Sequence, residues 1–134
     1  MKKLLLILSA IFALCGSLNA ETNMYKTTGF AYKYIDEYGR WTDWSKWQTS
    51  DMVVTIDLSN DVVKIFSPQP QTYAITEHVR NYTDESGGKQ SEYKFIDQDG
   101  DVGTMRLRME KNGNSQIYIQ FADVIWVYNV KKIS

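Results

Sequence analysis

The densest group of chemistry-bearing side chains is Trp41-Thr42-Asp43-Trp44-Ser45-Lys46-Trp47, three indoles at a spacing of three, with Tyr38 just upstream. Indole and phenol faces offer apolar area at little cost in rotamer entropy, which suits stacking on a sugar ring or a small apolar molecule. On an extended strand Trp41 and Trp47 point one way and Trp44 the other, so one core cannot take all three without a bulge. The expectation is therefore that Trp41 and Trp47 lie in the core, that Trp44 caps a barrel end, and that at least one ring meets solvent. A second group is cationic. Arg106 and Arg108 share a face of one alternating segment, Arg80 and Lys94 lie on neighbouring segments, and Glu92 and Glu110 are interleaved. Mixed signs predict a solvated face. Were that face turned inward, Arg106 and Arg108 would hold an anionic ligand through their guanidinium forks. Tyr38, Trp41, Trp44, Trp47, Arg106 and Arg108 are thus the candidate ligand-binding residues.

Catalytic and metal chemistry find less support. His78 is the single histidine, and no G-x-S-x-G turn accompanies it, so a hydrolytic triad has no nucleophile placed for it. One histidine cannot build a histidine metal cluster. Asp97-Gln98-Asp99-Gly100-Asp101 resembles a calcium loop only superficially: Gly100 is fourth where sixth is needed, and Arg108 stands at the twelfth position, where a bidentate Glu belongs. It reads as an acidic hairpin turn. No pair of carboxylates stands out for glycoside hydrolysis. The sequence predicts no catalytic residue, no metal and no cofactor, hence a protein that is not an enzyme.

The chain has 134 residues. Lys2 and Lys3, the apolar run Leu4 to Cys15, and the small exit ending at Ala20 have the form of a cleaved signal peptide over residues 1–20, with an apolar run too short for the ~20 residues that cross a bilayer. That predicts export to a bacterial periplasm or beyond, with no stable membrane insertion after cleavage. The alternative is a lipoprotein anchored through Cys15, the one cysteine, although Leu14 before it is bulky for that processing. Cleavage after Ala20 leaves no thiol for disulfides, nucleophiles or zinc. Fifteen basic against sixteen acidic residues become thirteen against sixteen once Lys2 and Lys3 are lost, a net of −3, and such a balance argues against nucleic acid as a partner.

Residues 21–134 read as a single domain built from strands. Gly103, Met105, Leu107 and Met109 alternate with Thr104, Arg106, Arg108 and Glu110; Met52, Val54, Ile56 and Leu58 with Val53, Thr55 and Asp57; Tyr73, Ile75 and Val79 with Thr72, Thr76, His78 and Arg80; and Ile117, Ile119 and Phe121 with Tyr118 and Gln120. Turn residues separate these runs, including Tyr38-Gly39, Ser59-Asn60-Asp61, Glu85-Ser86-Gly87-Gly88, Asp99-Gly100 and the type I′ candidate Asn112-Gly113. Strands are expected at about 24–35, 40–48, 52–58, 62–67, 72–82, 90–97, 102–110, 115–121 and 124–131. Short connections forbid parallel crossovers. The predicted fold class is all-β, an antiparallel meander of eight or nine strands forming a small barrel, with a two-sheet β-sandwich as the alternative. The final run, Val124 to Val130, is apolar on both faces, as in a closing strand or a partner-binding edge.

The early W-x-x-W-x-x-W run, Arg106-Leu107-Arg108, the Asn-Gly hairpin and Trp126-Val127-Tyr128-Asn129-Val130 together resemble a group of small exported, single-domain β-rich proteins of unassigned function. At the level of fold the strand count and length resemble calycins, the barrels that include lipocalins and fatty-acid-binding proteins, although this chain lacks the helical lid of the latter. The function expected is an exported, non-enzymatic binding module for a glycan or a small apolar ligand. The alternative is an envelope interaction or inhibitor protein whose protein partner docks on an exposed C-terminal strand edge.

Overall fold

The computed structural model describes residues 22–110 and 114–133. Nine strands follow one another: β1 Thr22–Tyr34, β2 Gln48–Thr49, β3 Val53–Asp57, β4 Val62–Ile65, β5 Gln71–Thr83, β6 Lys89–Asp97, β7 Val102–Met109, β8 Ser115–Gln120 and β9 Val124–Lys132. They form one antiparallel sheet in the order β2-β1-β3-β4-β5-β6-β7-β8-β9, and β9 pairs back onto β1. Eight strands therefore close into a barrel, with β2 as an extra ribbon outside the ring. The expected barrel is the fold, and the sandwich alternative falls away because closure leaves one continuous sheet. The closing ladder is among the longest, running from Tyr25↔Lys132 to Tyr34↔Val124. The C-terminal strand has β8 on one side and β1 on the other, so the edge expected there for a partner is occupied.

Period-two alternation explains the interior. Val54, Ile56, Val63, Ile65, Tyr73, Phe95, Met105, Ile117, Ile119 and Tyr128 all point inward and are buried. An eight-stranded barrel is just wide enough for side chains to fill, and here large apolar ones fill its centre. The inward face is the oily one. Arg106 and Arg108 alternate with Met105 and Leu107 and lie outside, which corrects the version in which they would line a polar interior.

Close packing also sets one glycine. A Cβ on Gly103 would stand 2.5 Å from the Gln120 carbonyl oxygen and 2.6 Å from Phe95 Cζ, so the Phe95 ring occupies the space that any side chain would need. Phe95 in turn meets Tyr73 and Phe121 edge-on, with centroids 4.8 and 5.4 Å apart.

Three connections use the same turn. Asp36, Asp84 and Asp97 each precede a glycine by three residues, and Gly39, Gly87 and Gly100 take φ of 76, 86 and 85°, the left-handed region where glycine meets no Cβ penalty. In each, the aspartate carboxylate accepts N–H groups two and four residues on. The last closing bond of the β7–β8 hairpin runs from Glu110 N–H to the Asn114 carbonyl at 2.8 Å; the Asn112-Gly113 turn expected between them lies outside the described residues, as do the signal segment 1–20 and Cys15.

Two expectations about strands need correction. Residues 40–48 do not form a strand: they make a strap that touches strand geometry only at the Ile35↔Trp41 bridge and at Gln48–Thr49. In β5 the alternation breaks twice, with bulges between Ile75 and Glu77 and between His78 and Arg80. Each extra residue flips the side chains that follow, which moves Val79 from the expected core face to the outer surface.

Candidate functional site

The strap folds back along β1 because its side chains satisfy the strand's open edge. Ser45 Oγ accepts the Tyr32 N–H at 3.0 Å and Thr42 Oγ1 accepts the Tyr34 N–H at 3.1 Å, while the Ser45 and Thr42 N–H groups donate to the carbonyls of the same two residues at 2.8 Å. The outer face of β1 is small, Gly29 and Ala31, so rings can lie close to it. An ideal Cβ on Gly29 would stand 3.3 Å from Trp47 Cε3. Ala31 and its partner Val127 are buried on this outer side, a small second core beneath the strap. All three indoles stay partly in solvent, Trp41 at 40%, Trp44 at 42% and Trp47 at 52% exposure. The expectation that Trp41 and Trp47 belong to the core is thus overturned: without a strand there, no alternation turns them inward.

Cross-strand register then assembles a site on the outer wall. One row runs Arg80–Glu92–Arg106–Tyr118–Val127–Ala31 across β5 to β1, and the next runs Lys94–Thr104–Gln120–Ile125–Lys33. A groove of about 550 Å³ lies over them, floored by Arg106, Tyr118, Thr104 and Gln120, with Trp44 at one end and Val79 at the other. From β6 to β9 are three strand spacings, or roughly 14 Å at ~4.8 Å each.

Rings and cations interlock along it. Trp44 meets Tyr118 edge-on with centroids 6.4 Å apart. Arg106 Cζ lies 3.8 Å above the Tyr118 ring, and Lys33 Nζ sits 5.0 Å from Trp44 and 5.7 Å from Trp41. Such contacts hold a cation over a negative ring face without neutralising it.

The remaining charges are spoken for. Glu92 accepts from Arg80 and from the Tyr82 hydroxyl, and the Arg80 guanidinium holds its carboxyl below the usual range. Lys94 pairs with Glu77 at 3.6 Å. Arg108 spends every nitrogen: Nε on Asp84 at 3.0 Å, Nη1 on Glu110 at 2.7 Å and Nη2 on Ser86 at 3.0 Å. It is a fastener between β7 and the β5–β6 turn. The Ser86 hydroxyl and Gly88 N–H, then Gln90 and Arg108, push the Asp84 carboxyl far below the usual carboxylate range.

Of the six residues singled out from sequence, the structure brings Trp44 and Arg106 together in the groove and sets Trp41 beside Trp44 through Lys33. Trp47 lies on Gly29 along the strap, and Arg108 is structural. Tyr38 stands at a turn tip, 72% exposed, with Arg40 over its ring at 5.4 Å. Sequence reasoning missed Lys33, Tyr118 and Gln120. Tyr118 and Gln120 were already on the polar face of their strand; what was missing was the register that sets Tyr118 opposite Arg106. His78 stacks on Tyr93 at 4.8 Å and bonds Asn81 at 2.7 Å.

Two further features bear on ligands. At the end of the barrel near Lys132, a mouth of about 560 Å³ is lined by Tyr25, Ile56, Leu58, Tyr93, Leu107 and Met109. Asp97, Asp99 and Asp101 converge within 4.8 Å, but Asp97 Oδ1 already accepts the Asp99 and Asp101 N–H groups at 2.9 Å, which accounts for the cluster as a turn. Comparison with family models, with curated proteins and with solved structures finds no match for this chain.

Proposed function

We propose that this protein is an exported, non-enzymatic binding module that takes a glycan in the outer groove beside the strap. The observation behind it is the pairing of Trp44 with Tyr118 above a polar floor. The exposed Trp44 indole provides stacking area, bounded by the Tyr118 ring with its Arg106 cover, while Thr104, Gln120 and Arg106 provide donors and acceptors within reach of the same ligand. A sugar ring, apolar on its faces and hydroxylated at its rim, matches that division. The length over β6 to β9 suits a short oligosaccharide. Export to the periplasm or beyond goes with this reading, since the signal-like segment 1–20 delivers the domain to where glycans lie.

The test is a panel of soluble oligosaccharides followed by saturation-transfer NMR and tryptophan fluorescence. Trp44→Ala should weaken binding at least tenfold while stability stays within the roughly 0.5 kcal/mol typical of a surface change. A large fall in melting temperature with unchanged binding would defeat the reading.

A second reading, a small apolar ligand, draws on the mouth lined by Ile56, Leu58, Leu107 and Met109. An apolar opening into the barrel is what the calycin likeness would lead one to look for. Leu107→Trp would obstruct the mouth and leave the outer groove alone, so the same titrations tell the two sites apart. The interaction-protein alternative moves from the C-terminal strand, which is paired on both sides, to the exposed indoles of the strap.

A further inference from the structure

We infer that the outer groove selects an acidic glycan, one bearing carboxylates in the manner of uronic acids, with Arg106 and Lys33 as the residues that read the charge; this rests on the glycan reading of the same groove. The argument is an inventory of charge. Among the described residues, five ion pairs occupy Lys26, Arg80, Lys94 and Arg108 with Asp51, Glu92, Glu77, Asp84 and Glu110. Arg106 and Lys33 are in none of them, and both line the groove.

Their surroundings hold them in place. Arg106 is half-buried, its Cζ 3.8 Å from the centre of the Tyr118 ring, and Nη1 donates to Gln90 Oε1 at 2.6 Å. Gln90 is itself fixed by donating Nε2 to Asp84 at 2.8 Å. That leaves the other face of the fork for a ligand, in a geometry suited to a carboxylate. Glu92 feels the Arg106 charge, but its oxygens already accept from Arg80 and Tyr82. Lys33, half-buried as well, lies between Trp41 and Trp44, which orient its ammonium without cancelling it.

With Lys94 and Glu92 also at the lining, the groove holds three cations against one anion, on a chain whose whole charge is −1. A local positive excess on a mildly acidic protein favours an anion at this spot over the general surface. The Trp44–Tyr118 pair stands between the two unpaired cations. A ligand that stacks a ring there and carries acidic groups toward each end would meet both.

The test uses trigalacturonate and its methyl ester, two molecules with the same rings and length and opposite charge status, titrated calorimetrically into the mature protein at low and at raised salt. The acid should bind about tenfold or more tighter than the ester, as expected where a charged hydrogen bond is made only by the acid, and salt should erode the difference. Arg106→Gln and Lys33→Gln should each remove most of the preference by weakening the acid far more than the ester, with near-ultraviolet circular dichroism verifying the fold. Equal affinity for acid and ester, still lost in Trp44→Ala, would overturn the charge reading and keep the glycan one. A preference that survives both substitutions, or tighter binding of single-stranded DNA or anionic vesicles than of trigalacturonate, would also overturn it. If neither sugar binds and no member of the wider panel does, the glycan reading itself is lost.

Discussion

Single residues in this protein divide by which side of the barrel wall they face, and the consequences of changing them divide in the same way. Gly103 is the sharpest inward case. Its missing Cβ is the space that the Phe95 ring occupies, and the opposing obstacle, the Gln120 carbonyl at 2.5 Å, is backbone that cannot swing aside. Gly103→Ala should therefore cost about 1–3 kcal/mol, the range for overpacking a filled core, and lower the melting temperature with no change at the outer groove. A melting curve unaltered by the substitution would mean that Phe95 repacks freely, contrary to its edge-on contacts with Tyr73 and Phe121. Outward, the two arginines two residues apart behave differently although alternation treats them alike. Arg108 is consumed by Asp84, Glu110 and Ser86, whereas Arg106 keeps a face toward the groove. That distinction was not legible in sequence, because Asp84 lies 24 residues away and only the β5–β6–β7 register brings it to Arg108.

At the scale of elements, most of the architecture was legible and the site mostly was not. The alternating runs around Val54, Met105 and Ile117 mark strands whose central apolar members are buried, while Leu58 and Met109 at the strand ends stay exposed, and eight of nine expected strands recur within a few residues of their expected bounds. The failure is instructive because it falls on the indoles. A spacing of three in Trp41, Trp44 and Trp47 conflicts with the period of two, and the chain resolves that conflict by leaving strand geometry from about Thr42 to Trp47. Polar side chains between the indoles replace the missing ladder: Ser45 and Thr42 serve as acceptors for β1 amides. Those two hydroxyls predict a measurable local effect. The paired change Thr42→Ala and Ser45→Ala should speed hydrogen exchange at the Tyr32 and Tyr34 amides by tenfold or more, since each lost bond is worth about 0.5–1.5 kcal/mol. Exchange at Ile117 and Ile119, inside the barrel, should not move. Equal protection at Tyr32 and Tyr34 in the variant would show that the strap stays docked through Trp47 and its own backbone alone.

For the whole molecule, closure is the governing fact, and a polar tie crosses the ring it creates. β5 and β9 stand on opposite sides of the eight-strand circle, yet Gln71 on β5 joins them. Its Oε1 accepts the Tyr73 hydroxyl at 2.5 Å and its Nε2 donates to the Tyr128 hydroxyl at 3.4 Å. Burial pushes the Tyr73 phenol well above the ordinary value near 10 and raises that of Tyr128 as well, with Tyr128 and Asp97 adding to the rise at Tyr73 and the Gln71 bond moderating it at Tyr128. The sign of the linkage follows: with folded values above unfolded ones, the neutral phenols contribute stability that is complete below about pH 10 and is lost as pH climbs from there through the folded values. The native barrel should accordingly lose melting temperature steeply above pH 10. Tyr73→Phe combined with Tyr128→Phe should start lower at neutral pH, by roughly 0.5–1.5 kcal/mol for each hydrogen bond removed, and then decline less steeply because two buried protons no longer need to be kept. Parallel curves for the native and doubly substituted proteins would assign alkaline unfolding to other groups, such as the Tyr25 phenol that burial also raises, and deprive the Gln71 tie of its role in holding opposite walls together.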